Sequence, residues 1–115
     1  MNLLKSLFSS PPSLNVSELK AKLAGKNTPL LIDVRQPNEF RQSHVKGAKL
    51  IPLQELRQRM DELPRDREIV CICRSGARSG SAVRHLNNSG FNSLNVQGGM
   101  IAWNRAGFPT KKGQR

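Results

Sequence analysis

At 115 residues the chain holds one domain, large enough for a real core and with little room for a second. Its net charge of +11 is spread along the chain, with Lys5, Lys20, Lys22 and Lys26 against Glu18 alone at one end, Lys111, Lys112 and Arg115 at the other, and arginines interspersed among acids in the body. No run approaches the roughly 18 apolar residues of a membrane span, no aromatic-studded basic patch argues for nucleic acid, and Lys5 interrupts what would be a signal-peptide core. The expected compartment is the cytosol, where two cysteines are thiols and not a structural disulfide. The charge reads as a solvated surface, with attraction of small anions or acidic partner proteins as the second reading.

Residues 1–12 end in Ser9-Ser10-Pro11-Pro12, a linker signal that sets them apart from a domain over 13–109 and a basic tail over 110–115. Leu3, Leu4, Leu7 and Phe8 share one helical face, and docking on the body, contact with a partner and fraying all stay open. Ser13-Leu14-Asn15-Val16 reads as a short strand, followed by a helix over 17–24 with Asn15 or Ser17 as N-cap and Gly25 as its stop. Leu30-Leu31-Ile32-Asp33-Val34 is a buried strand, and Pro37 suits the first position of a short helix. Lys49-Leu50-Ile51-Pro52 is a third strand. Leu53, Leu56, Met60 and Leu63 line one face of an amphipathic helix that turns Arg57, Arg59 and Asp61 outward and ends at Pro64.

Ile69-Val70-Cys71-Ile72 is an apolar β-branched run, and Ala82-Val83-Arg84-His85-Leu86 belongs to a helix that ends at Gly90. Ser93-Leu94-Asn95-Val96 is a last strand, and Gly98-Gly99 leads into a short helix over 100–103 closed by Gly107 and Pro109. Strand and helix alternate throughout, the pattern of an α/β domain whose mostly parallel sheet is covered by helices on both faces. Ligands of such sheets lie beyond the carboxyl ends of the strands.

The loop Cys73-Arg74-Ser75-Gly76-Ala77-Arg78-Ser79 falls at that edge, between a buried strand and a helix. Backbone N–H groups and the positive end of the helix dipole converge there, and Gly76 permits the curled backbone of an anion nest. With Arg74 and Arg78 beside it, Cys73 is expected to be a nucleophile of lowered pKa. Spacing narrows the chemistry. Four residues separate Cys73 from Arg78, one fewer than the cysteine phosphatases use to ring three phosphate oxygens, so the loop better matches a single extra sulfur.

The loop resembles the active loop of the rhodanese family in its small single-domain form. Leu31-Ile32-Asp33-Val34-Arg35 resembles the family's aspartate-containing strand. Glu39-Phe40 to His44-Val45-Lys46-Gly47-Ala48 resembles its Glu-Phe and His-Ile-Pro-Gly-Ala stretch, with Lys46 in place of the usual proline. Gly98-Gly99-Met100-Ile101-Ala102-Trp103 resembles its carboxyl-terminal Gly-Gly and Trp motif. The four matches come in order and span about residues 13–109.

The resemblance implies a single rhodanese-like domain with a five-stranded sheet, and a ping-pong sulfurtransferase. Cys73 would take the outer sulfur of thiosulfate, release sulfite and hold a persulfide for cyanide, a thiol or a protein acceptor. Loop amides would stabilise the anionic persulfide, and no general base is required of an ionised thiol. The two loop arginines suit a dianionic inorganic donor. One rival is a slow or non-catalytic sulfur-carrier module serving a partner protein. Another is a cysteine phosphatase or arsenate reductase, against which the spacing argues.

Supporting residues have plainer readings. Asp33 is expected as a buried carboxylate paired with an arginine or loop amides, and Arg35 is left between pocket rim and surface. His44 reads as a hydrogen-bonded structural histidine, since the mechanism asks for no acid–base group. Cys71 reads as a buried small side chain and not a redox partner. His85 reads as surface and Trp103 as core. No cluster has metal-ligand spacing, so neither metal nor cofactor is expected.

Overall fold

The computed structural model describes residues 10–114. Five strands form one sheet: β1 (Ser13–Leu14), β2 (Leu30–Asp33), β3 (Lys49–Leu50), β4 (Ile69–Ile72) and β5 (Ser93–Val96). Their order is β1-β5-β4-β2-β3 and every pairing is parallel, so all the carboxyl ends emerge along one edge. β4 is buried at every position, as a central parallel strand with both faces covered must be.

Alternation along β4 sends Ile69 and Cys71 to one face and Val70 and Ile72 to the other. On the first face, Leu56 and Leu63 pack with Ala82, Val83 and Leu86. They come from α3 (Leu53–Leu56, continued as a 3-10 turn over Arg57–Glu62 that leads to Leu63) and α4 (Ala77–Asn88). The second face is covered by α1 (Val16–Ala24) and α5 (Gly99–Arg105) through Leu19, Met100 and Trp103. α2 (Pro37–Gln42) carries Phe40 into the interior, 2% exposed. Each large aliphatic side chain so withdrawn from water contributes about 1.5–3 kcal/mol. The α/β architecture with helices on both faces is the one expected, and the sheet is wholly parallel.

Four local expectations need correction. The first strand stops at Leu14, because Asn15 is the N-cap of α1 in a reciprocal capping box. Its Oδ1 accepts from Glu18 N–H at 2.8 Å while Glu18 Oε1 accepts from Asn15 N–H at 2.9 Å. β3 stops at Leu50, and Pro52 stands at the head of α3. The long helix from Leu53 tightens into a 3-10 turn after Leu56, where side chains at i and i+3 stack and Arg59 meets Glu62 at 2.8 Å. Arg59 also reaches Glu55 at 3.3 Å, so it lies along the outer side of the turn between two surface carboxylates, as expected. Finally, α4 begins at Ala77, five residues before Ala82, so Arg78 and Ser79 belong to its first turn.

The ends of the described chain are tied to the body. Pro12 O accepts from Asn95 N–H at 2.8 Å, and Lys111 bridges to His44 through two backbone hydrogen bonds of 2.8 and 2.9 Å. Trp103 is core, as expected, 2% exposed with its Nε1–H donating to Pro109 O at 2.9 Å. The apolar face of Leu3, Leu4, Leu7 and Phe8 lies outside the described residues. Among the described residues no helix is long and apolar enough to cross a membrane.

Candidate active site

β4 delivers Cys73 to the carboxyl edge of the sheet, and the chain then has to reverse within three residues to enter α4. Gly76 makes the reversal possible: it caps α4 at φ 110°, a region L side chains rarely enter. The reversal points Gly76 N–H back at Cys73 Sγ, 3.1 Å away. The first turn of α4 brings Ser79 Oγ to 3.3 Å from the same sulfur. Cys73 is 1% exposed.

Burial pushes the Cys73 thiol up. The Ser79 hydroxyl and the backbone N–H groups of Ser79, Gly76 and Ser75 outweigh it, so the thiol sits below its ordinary value. Cys71, two residues earlier, is pushed up to about 12 by burial and by the neighbouring charge of Cys73. It lies at 0% exposure among the core residues. Two sulfurs two residues apart are thus shifted in opposite directions.

The loop is also held from behind. Cys73 O accepts from Met100 N–H at 2.8 Å and Arg74 O from Ile101 N–H at 3.0 Å, both donors in the first turn of α5. That approach is open because residue 99 is glycine; a Cβ there would lie 2.6 Å from Arg74 O.

The predicted arginines differ in their engagement. Arg78 forms a two-pronged ion pair with Glu39 of α2, at 2.7 and 2.9 Å. The Arg78 guanidinium holds the Glu39 carboxyl at about 2, and Glu39 Oε1 also accepts from Gln36 N–H at 3.0 Å. Arg74 is exposed and, among the described residues, has no carboxylate partner. It borders a cleft of about 360 Å³ that Arg35, Glu39, Met100 and Ile101 also line. Ser75 and Ala77 are exposed at the loop's crest.

Asp33 is fully buried and gripped by Arg35 through Nε at 2.9 Å and an Nη at 2.7 Å, while that Nη also donates to Ser43 O at 2.6 Å. Arg35, 5% exposed, therefore locks β2 to the end of α2 and also lines the cleft. His44 is fully buried and stacks on Phe40 with ring centroids 3.7 Å apart. A carbonyl only accepts, so His44 Nδ1 carries the hydrogen donated to Phe40 O at 2.8 Å, and Nε2 has no partner among the described residues. His85 departs from expectation. It is half-buried beside a hollow of about 450 Å³ between α3 and α4, with its Nε2 buried and unpartnered among the described residues. Among the described residues no cluster of three His, Cys, Asp or Glu could hold a metal ion.

A family model described as a rhodanese-like domain matches residues 15–106. The chain belongs to the rhodanese-like family. A protein of Allochromatium vinosum named sulfurtransferase is 40% identical to it over 97 residues, 84% of this chain and 91% of that one. A solved rhodanese-related protein from Thermoplasma volcanium matches with a TM-score of 0.81 at 32% identity, over 87% of this chain and 97% of that one. Thiosulfate sulfurtransferase from Pseudomonas aeruginosa matches with a TM-score of 0.83 at 28% identity, over 90% of this chain and 21% of that one.

Two residues of this rhodanese-like domain escaped the sequence reading. Asn95 of β5, 8% exposed, accepts from Ser79 Oγ at 2.5 Å and donates through Nδ2 to Gly76 O at 3.1 Å. Ser93 on the same face of β5 is bonded to Asn87 of α4, so polar side chains stitch α4 to the sheet at both ends. The signal was the alternation in Ser-Leu-Asn-Val, which puts two polar residues on a covered face. Glu39 stood in a recognised motif without a role, and its partnership with Arg78 spans 39 positions.

Proposed function

We propose that this rhodanese-like domain is a sulfurtransferase that carries a sulfane sulfur as a persulfide on Cys73, from a donor such as thiosulfate to cyanide, a thiol or a protein acceptor. Cys73 thiolate attacks the outer sulfur of thiosulfate, the S–S bond breaks, and sulfite leaves with the electron pair. The negative charge then sits on the new outer sulfur. In the second half an acceptor nucleophile attacks that sulfur, and Cys73 departs as a thiolate.

The observation that carries this reading is the donor set on Cys73 Sγ, Gly76 N–H at 3.1 Å and Ser79 Oγ at 3.3 Å, which lowers the thiol's pKa. It favours an ionised sulfur at both the start and the end of the cycle. Arg74 borders the cleft and, among the described residues, has no carboxylate partner, which suits an anionic donor, whereas Arg78 is paired with Glu39. The names of the similar proteins point the same way, to sulfur transfer. Two free cysteines suit the reducing cytosol.

The test is steady-state turnover of thiosulfate and cyanide. Sulfite and thiocyanate released in equal amounts with ping-pong kinetics are expected. Loading of one sulfur without turnover would transfer the reading to a carrier serving a protein acceptor. Failure to load from any sulfane donor would overturn both.

A further inference from the structure

Ser79 Oγ has two neighbours that both ask for a hydrogen and only one hydrogen to give. Asn95 Oδ1 lies 2.5 Å away on one side and Cys73 Sγ 3.3 Å away on the other. The Asn95 amide cannot turn over to relieve this. Its Nδ2 is 3.1 Å from Gly76 O, and a carbonyl accepts but never donates, so Oδ1 has to face Ser79. We propose that Asn95 is a positioning residue that holds the Ser79 hydroxyl hydrogen while the Cys73 sulfur is uncharged and gives it up to the sulfur when Cys73 ionises.

The energetics favour such an exchange. A hydrogen bond to an anion is about twice as strong as one between neutral groups, so charge on Sγ draws the hydroxyl across. No bond to hydrogen breaks; the Ser79 O–H rotates about its C–O bond. Resting on the persulfide reading, the rotation follows the cycle. In the persulfide the charge is on the outer sulfur, Sγ is uncharged, and the hydroxyl points to Asn95. When the acceptor takes the outer sulfur, the electron pair of the breaking S–S bond returns to Sγ and the hydroxyl swings to meet it. Asn95 thus restrains the donor in one half-reaction and frees it in the other.

The other charged groups around the sulfur are Arg74 in the loop, Arg78 with Glu39 from α4 and α2, and Asp33 with Arg35 at the end of β2. Cys71, pushed up to about 12, stays protonated. These act on the sulfur whether or not Asn95 is present, so a double-mutant cycle removes them.

The experiment is the pH profile of iodoacetamide alkylation of the full chain, for the unmutated protein, Ser79→Ala, Asn95→Leu and the pair together. Ser79→Ala is expected to slow alkylation below the midpoint about tenfold, the loss of one charge-assisted hydrogen bond. Asn95→Leu is expected to speed it several-fold, and that gain is expected to vanish on the Ser79→Ala background. An equal gain on both backgrounds, or none on either, overturns the proposal. Should Asn95→Leu fail to fold, the Asn95 side-chain amide resonances of the unmutated protein decide: they are expected to titrate with the Cys73 midpoint, and unmoved resonances overturn the proposal. Alkylation reads ionisation and not sulfur transfer, so coupling in a protein that never loads sulfur would sink the proposed function and leave Asn95's role standing.

Discussion

Replacing Gly99 by alanine tests whether the backbone behind Cys73 is held as tightly as the geometry requires, and Gly107 supplies the matched control. Both residues have left-handed backbones, at φ 54° and 76°, where an alanine costs about 1–2 kcal/mol. They differ in surroundings. A Cβ on Gly107 meets nothing within 4 Å, whereas one on Gly99 lies 2.6 Å from Arg74 O and 2.7 Å from its carbonyl carbon. Relief requires α5 and the loop to separate, which gives up the Met100 N–H to Cys73 O and Ile101 N–H to Arg74 O bonds. At about 1 kcal/mol each, those losses bring Gly99→Ala to about 3–4 kcal/mol against about 1–2 for Gly107→Ala. Urea unfolding at unchanged slope measures the difference. Equal midpoints for the two variants would refute the account of how α5 holds the loop.

Further expectations follow from other contacts. Cys73→Ser keeps the fold and gains no sulfur mass on incubation with thiosulfate; a loaded variant would contradict the assignment. Cys71→Ala leaves turnover unchanged, because that sulfur is protonated and walled into the core, and a large loss in the rate of a folded variant would make it a participant. Glu39 is held at about 2 against its ordinary 4.5, so its contribution to stability is complete above about 4.5 and drains away as pH falls toward 2. Glu39→Gln should therefore be less stable at neutral pH and flatter across that window; an acid profile parallel to that of the unmutated chain would contradict the pairing. Arg74→Ala is expected to raise KM for thiosulfate a few-fold, an effect that salt blunts as befits an exposed charge, and an unchanged KM would leave that guanidinium without a part in donor binding.

The parts of the molecule that were legible in the sequence are those governed by one-dimensional pattern. Ile69-Val70-Cys71-Ile72 declares a central strand by composition alone, and the alternation of strands and helices declares the layers. The start of α4 was not legible, because Arg78-Ser79-Gly80-Ser81 has the composition of a loop and only the left-handed turn at Gly76 makes it helical. Asn15 shows the reverse case: its capping box ends β1 early although the residues around it look extended. At the site, local order singles out Cys73 and its loop as candidates, but it does not show the partners that surround them. Asn95 reaches Ser79 across 16 positions and Glu39 reaches Arg78 across 39, and no periodicity records such contacts. Arg35, left between rim and surface, is settled by Asp33 two residues away, which draws the guanidinium under the fold while its edge still lines the cleft. His85 lies at a helix position with polar neighbours in sequence, yet that side of the helix borders the hollow facing α3, which leaves it half-buried.

The account depends on how readily the sulfur at position 73 gives up its proton. The most direct measurement is the ultraviolet thiolate absorbance of the unmutated protein against that of Cys73→Ser, across pH, so that the difference belongs to that one sulfur. A midpoint below that of an ordinary cysteine is expected, from the hydrogen bonds of Gly76, Ser79 and Ser75. A midpoint at or above the ordinary value would mean that burial prevails over those donors, and the loop would then not be the cradle of an anionic sulfur.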